Sequence, residues 1–243
     1  MRVQLYELNH GECPYLPDRR WITHSFRADE LPDGLYEHLV GAGWRRSGRS
    51  FYQNHCPGCR LCIPIRVSPA MFTPTKSQRK CTRRNADVSV ECVPLQHDAA
   101  VFQLYERYCT IRHDTTVTRK QYTGFLGSSP LDTEMMLYRV SDRLVGVGWI
   151  DVLHDGLSSV YFAFEPDEQA RSLGTFSVME ELREVERRGK HWLYLGFYVP
   201  TSPKMDYKSK FGPHELLVDG EWKPGTEELH EELRAEAAKK PGE

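Results

Sequence analysis

The sequence is poor in the features that tie a chain to a membrane or to secretion. Its apolar runs are short, far below the roughly twenty residues of a bilayer-spanning helix. The opening MRVQLYELNHGECPYL has no apolar core behind a basic start and does not read as a secretory signal. Seven cysteines are an odd number, which argues against a disulfide framework. These shortages predict a cytoplasmic protein with reduced thiols, and no membrane or DNA partner. Internal repeats and low-complexity segments are also missing. The net charge is only −2, but it is unevenly spread: KSQRKCTRRN (76–85) carries five cations and no acid. Such a run is either a solvated face or a local patch for a polyanion.

What is present suffices for a substantial core: 243 residues with 40% hydrophobic content, as one large domain or two small ones. Leu31, Leu35 and Leu39 share a helical face that Gly41 and Gly43 stop. CIPIRVSPAMF and ADVSVECV read as strands, and residues 98–113 as a helix. TEMMLYRV, RLVGVGWIDVL and LSSVYFAFEP, joined by short turns, predict an antiparallel meander. A helix follows in DEQARSLGTFSVMEELREVERRG, then a buried strand in HWLYLGFYV. The expected class is α+β.

Three stretches suggest chemistry. HCPGCRLC places Cys56, Cys59 and Cys62 at cluster spacing, yet Arg66 stands where a further cysteine would complete a ferredoxin-type run. The loop before the second long helix puts Ser172, Leu173, Gly174 and Thr175 in its first turn, where free amides and the helix dipole favour an anionic or polar group. Lys204, Lys208 and Lys210 are interleaved with Tyr207 and Phe211, a pattern that suits a nucleic-acid backbone and its bases.

Meander, glycine-containing loop, helix and strand in this order resemble the acetyltransferase-like (GNAT) fold, whose loop holds an acyl-CoA pyrophosphate. Gln169 or Arg171 stands for the first residue of that loop, but Ser172 replaces one of its glycines. Five longer blocks, ECPYLPDRRW, YQNHCPGCRLCIPIRV, FTPTKSQRKCTRRNADVSV, VYFAFEPDEQARSLGTFSVMEE and LYLGFYVPTSPKMDYKSKFGPHELL, resemble the aminoacyl-tRNA–protein transferases, with the short bacterial branch closest. That family moves an amino acid from a charged tRNA to a protein N-terminus. The bacterial branch uses leucyl-tRNA and accepts N-terminal Asp or Glu, which marks the product for degradation; eukaryotic relatives transfer arginine.

The resemblance implies an N-terminal transferase region (1–95) with a cysteine-containing subdomain and the basic run, a GNAT-like catalytic region (96–230) and a flexible tail (231–243). By the same resemblance, no cofactor would be required. Gln169, Arg171 and Ser172–Thr175, with Lys204, Lys208 and Lys210, would meet the aminoacyl-tRNA. Glu165 or Asp167 would act as base or amine anchor, with Tyr161 beside them. Arg66, Arg79, Lys80 and Arg83 would hold the acceptor's carboxylate, or else the tRNA. Cys13 would join Cys56, Cys59 and Cys62 in a four-thiolate site for zinc or an iron–sulfur cluster; otherwise the cysteines are reduced and buried. Three alternatives remain open at this point: an arginyl transferase, an acyl-CoA-dependent N-acetyltransferase and a non-catalytic zinc-ribbon RNA-binding protein.

Overall fold

A computed structural model describes residues 3–239. Two sheets organise them. Strands β1 (Tyr6–Glu12), β2 (Arg20–Arg27), β3 (Arg45–Ser47) and β4 (Ser50–Asn54) form an antiparallel sheet in the order β1-β2-β4-β3. Helix α1 (Leu35–Gly41) lies between β2 and β3, and Leu31 precedes it rather than opening it. The second sheet has eight strands: β5 (Ile63–Val67), β6 (Val88–Pro94), β7 (Thr133–Val140), β8 (Arg143–Val152), β9 (Gly156–Phe164), β10 (Trp192–Tyr198), β11 (His214–Val218) and β12 (Glu221–Pro224). Their order is β12-β11-β5-β10-β9-β8-β7-β6, and β9–β10 is its parallel pair. The meander is β7–β8–β9, as its hairpin signals predict.

The large sheet takes β5 and β6 from before residue 95. The expected domain boundary therefore runs through one sheet, and β5, which begins directly after Cys62, sits in its middle. The basic run is helix α2 (Lys76–Arg84), opened by a capping box in which the Gln78 amide donates to Thr75 Oγ1 at 3.3 Å and the Thr75 amide to Gln78 Oε1 at 2.7 Å. Helix α3 (Ala99–His113) is capped by Asp98, which accepts from the amides of Ala100 and Val101. Helix α4 (Arg119–Tyr122) is a single turn, and helix α5 (Leu173–Arg187) connects β9 to β10. Residues 231–238, expected as tail, continue helix α6 (Glu227–Ala238), whose Leu229 and Leu233 pack on the core. The last four residues of the expected tail lie outside the described residues.

Alternation along the central strands feeds two cores. Helix α5 covers one face through Phe176, Met179, Leu182 and Val185, against Ile63, Ile65 and Val67 of β5. Helix α3 covers the other through Val101, Leu104 and Tyr105, against Val147 and Trp149 of β8. The small sheet is pinned to the large one by a buried ion pair. Arg46 on β3 donates Nε and Nη2 to Asp151 on β8, at 2.8 and 2.5 Å, with the two side chains 1% and 0% exposed. Among the described residues, no helix is long and apolar enough to cross a membrane.

Candidate active site

The parallel pair supplies the opening in the sheet. Strands β9 and β10 are in register only from Trp192↔Gly156 to Tyr194↔Ser158. Beyond that, Gly196 turns β10 with a φ of +80°, a conformation that L side chains resist. Arg45, from β3, fills the place where the strands part. Its Nη1 donates to Ser158 Oγ at 3.1 Å and its Nη2 to the Ser159 carbonyl. A Cβ at position 196 would lie 3.3 Å from this guanidinium, so a side chain there would crowd Arg45 as well as strain the backbone.

Two ionisable groups from distant parts of the chain join Arg45. Glu181, on the sheet-facing side of α5, is 1% exposed and accepts from Ser159 Oγ at 3.1 Å. Burial pushes its carboxyl up to about 8, partly offset by the Ser159 hydrogen bond. Lys208 lies in the turn after β10 and gives its Nζ to the Phe197 carbonyl at 3.0 Å. Burial, then the Arg45 charge, lowers it to about 7, against the pull of Glu181 and Cys62. Lys208 thus faces inward, whereas a backbone-phosphate contact would need its ammonium in solvent. Lys204 and Lys210 remain exposed.

The helix terminus is the second feature. Ser172 has a φ of 58°, and its side chain does not cap the helix. The amides of Leu173 and Gly174 have no intramolecular acceptor among the described residues. A Cβ on Gly174 would meet nothing within 4 Å, so open space lies over that turn. Helix α2 braces the loop from outside. Asn85 Nδ2 donates to the Arg171 carbonyl at 2.9 Å, Cys81 Sγ to the Ser172 carbonyl at 3.5 Å, and Arg84 to the Ala170 carbonyl. Gln78 Nε2 reaches the Lys210 carbonyl at 3.0 Å. Three stretches singled out separately in the sequence are therefore adjacent: the α5 terminus, the basic run and the lysine-rich turn. Arg79, Lys80 and Arg83 on α2 are exposed.

Other expected residues are committed elsewhere. Arg171 forms a bidentate pair with Asp87, at 2.8 and 2.9 Å, and another with Glu168 at 2.7 Å. Gln169 is exposed beside it. Arg66 lies over Trp192 and Trp222 and pairs with Glu215 at 2.6 Å. Its neighbours Ile65 and Val67 face the α5 core with Cys81, so strand alternation puts Arg66 on the sheet face opposite α2. Arg107 on α3 bridges Glu165 and Asp167, at 3.1 and 3.2 Å. The Tyr161 hydroxyl is 3.4 Å from His113 Nε2. Burial, then Tyr108, raises Tyr161, while burial, Arg112 and Lys204 hold the His113 ring below its usual value. His113 is thus a neutral base candidate that pattern reading missed.

Cys13, Cys56, Cys59 and Cys62 do come together, lining one cavity of about 1130 Å³. All four are free thiols. Cys62 is pushed well up by burial, then by the other three cysteines, and Cys56 is raised by burial. Among the described residues no three His, Cys, Asp or Glu side chains are grouped so as to hold an ion. As placed, the four thiols line the cavity without forming a metal-holding group, and no chemistry is routed through one.

Two family models match the chain: Arginine-tRNA-protein transferase, N terminus, over residues 11–80, and Arginine-tRNA-protein transferase, C terminus, over residues 100–218. The aspartate/glutamate leucyltransferase of Marinobacter nauticus is 38% identical over 87% of this chain and 92% of its own length. That of Gluconobacter oxydans is 40% identical over 91% and 95%. That of Teredinibacter turnerae is 36% identical over 91% and 93%.

Proposed function

Because the chain belongs to the aspartate/glutamate leucyltransferase family, we propose that it moves leucine from leucyl-tRNA to the N-terminal Asp or Glu of acceptor proteins, creating a degradation signal in the cytoplasm. The carrying observation is identity near 40% spread over about nine-tenths of both chains.

The chemistry demands little of the protein. An aminoacyl ester is already activated, so no ATP enters. The acceptor amine attacks the ester carbonyl as the neutral base, a tetrahedral oxyanion forms, and the tRNA hydroxyl leaves with a proton. Proximity and oriented donors supply most of the acceleration. The free amides at Leu173 and Gly174, in an acetyltransferase-like frame, are donors suited to the terminal adenosine of the tRNA. The exposed cations of α2 beside them suit the acceptor stem. His113, close to Tyr161 and kept neutral, suits removal of the amine proton better than Glu165 or Asp167, which are shared with Arg107.

The test uses tRNA charged with labelled leucine or arginine, and peptides beginning Asp, Glu, Lys or Arg. Label should pass from leucyl-tRNA to the Asp and Glu peptides. Transfer from arginyl-tRNA would move the chain to the arginine branch, and no transfer from either would refute the proposal.

A further inference from the structure

Glu181 has one oxygen left over. Oε1 accepts from Ser159, but Oε2 has no hydrogen-bond partner although the residue is 1% exposed. Buried polar atoms are paired as a rule, because a carboxyl oxygen stripped of water and given nothing in return costs stability. Donors are near, but the bonds they make are directed at other acceptors. Lys208 gives its Nζ to the Phe197 carbonyl, and Arg45 gives its Nη atoms to Ser158 and Ser159. The location is equally specific. Ser159, which fixes the carboxyl, is the first residue of β9 beyond the last pair with β10. The unpartnered oxygen therefore sits where the sheet opens.

We propose that Glu181 Oε2 receives the α-amino group of the donor aminoacyl-tRNA. This rests on the donor assignment made above. The carbon bearing that amine is bonded directly to the ester carbonyl, so holding the amine orients the carbon under attack. An ion pair forms whether the amine arrives protonated or takes the carboxyl proton; one proton is shared in either case. The same contact is a filter. A free α-amine distinguishes an aminoacyl-tRNA from every N-acylated tRNA ester, peptidyl-tRNA included, so the anchor excludes donors that are already joined to a peptide.

The decisive probe is tRNA esterified with the α-hydroxy analogue of leucine, which keeps the shape and the reactive ester but lacks the cation. Transfer of both donors to a peptide beginning Asp is measured for the wild type and Glu181→Gln. The wild type should have a KM about tenfold or more lower for leucyl-tRNA than for the analogue, the size of one charged hydrogen bond. Glu181→Gln, which keeps the Ser159 contact, should treat the two donors alike by losing affinity for leucyl-tRNA only. Equal use of both donors by the wild type overturns the proposal, as does a variant that keeps the wild-type preference. If the variant does not fold, the wild-type comparison decides alone. Failure of the wild type to transfer leucine at all refutes the donor assignment instead; the anchor is then judged by whether wild type binds leucyl-tRNA more tightly than the analogue.

Discussion

Mild acid should loosen the junction between helix α6 and the large sheet. His214 and His230 are 8% and 5% exposed and meet through their Nε2 atoms at 2.9 Å. The Phe211 carbonyl, 3.2 Å from His214 Nδ1, can only accept, so that nitrogen carries a proton. His214 Nε2 then accepts from His230, and His230 Nδ1 accepts from the Tyr198 hydroxyl at 3.2 Å. Every site in this chain is used, and a further proton would set two N–H groups against each other. Burial, then the His230 charge, accordingly lowers His214 from 6.5 to about 4. A base with a depressed folded pKa contributes stability that is complete above the unfolded value and is lost as pH falls toward the folded one. Here the window runs from about 6.5 down to 4, where the unfolded chain binds more protons. The contribution lost between pH 7.5 and pH 5 is roughly 2 kcal/mol. Glu181, raised to about 8, has the opposite slope over the same window, so the wild-type curve alone is not the test. The difference between wild type and His214→Leu cancels Glu181. Urea unfolding at the two pH values should show the wild-type advantage shrinking by roughly 2 kcal/mol at pH 5. An advantage that is independent of pH would refute the reasoning.

Further outcomes follow from the same contacts. Gly174→Val, placed over open space in the first helical turn, should change unfolding free energy by no more than about 1 kcal/mol while lowering leucine transfer at least tenfold; retained activity removes the α5 terminus from the site. Arg46→Met should cost roughly 3–5 kcal/mol in urea unfolding, because it removes the cationic partner of the buried Asp151 carboxylate and leaves it the Thr133 hydroxyl alone. Gly196→Ala forces a side chain onto a φ of +80° and against Arg45, and should cost roughly 1–3 kcal/mol and impair transfer. Lys80→Ala with Arg83→Ala should reduce the slope of log affinity for tRNA against log salt by about 1–2, leaving the KM for the Asp peptide unchanged. A changed peptide KM with an unchanged slope would assign the pair to the acceptor's carboxylate.

The meander, α3, α5 and β10 were legible because each is set by a local rule: alternation, 3.6-residue spacing, or a glycine stop. The basic run gave less. Its charges hid an amphipathic helix whose buried side is only Gln78 and Cys81, two residues that hydropathy does not mark as a stripe. The ion pair of Arg46 with Asp151 spans more than a hundred residues of chain, and neither residue lies in a motif.

The opening between β9 and β10 was invisible for a deeper reason. Its polar residues, Arg45, Ser159, Glu181 and Lys208, come from β3, β9, α5 and the turn after β10. No spacing rule joins them, and each taken alone reads as a surface charge or a filler. Glu181 did carry a signal: it falls four residues after Ser177 and four before Val185, both buried, and so occupies the inner stripe of α5. A carboxylate on the inner stripe of an amphipathic helix must be paired, neutral or awaiting a partner. The structure removes the first option for Oε2, and burial favours the neutral form only while the site is empty. What remains is a group held dry beside the one break in the parallel pairing. Removing its charge should therefore weaken the use of the cationic donor more than it weakens the fold.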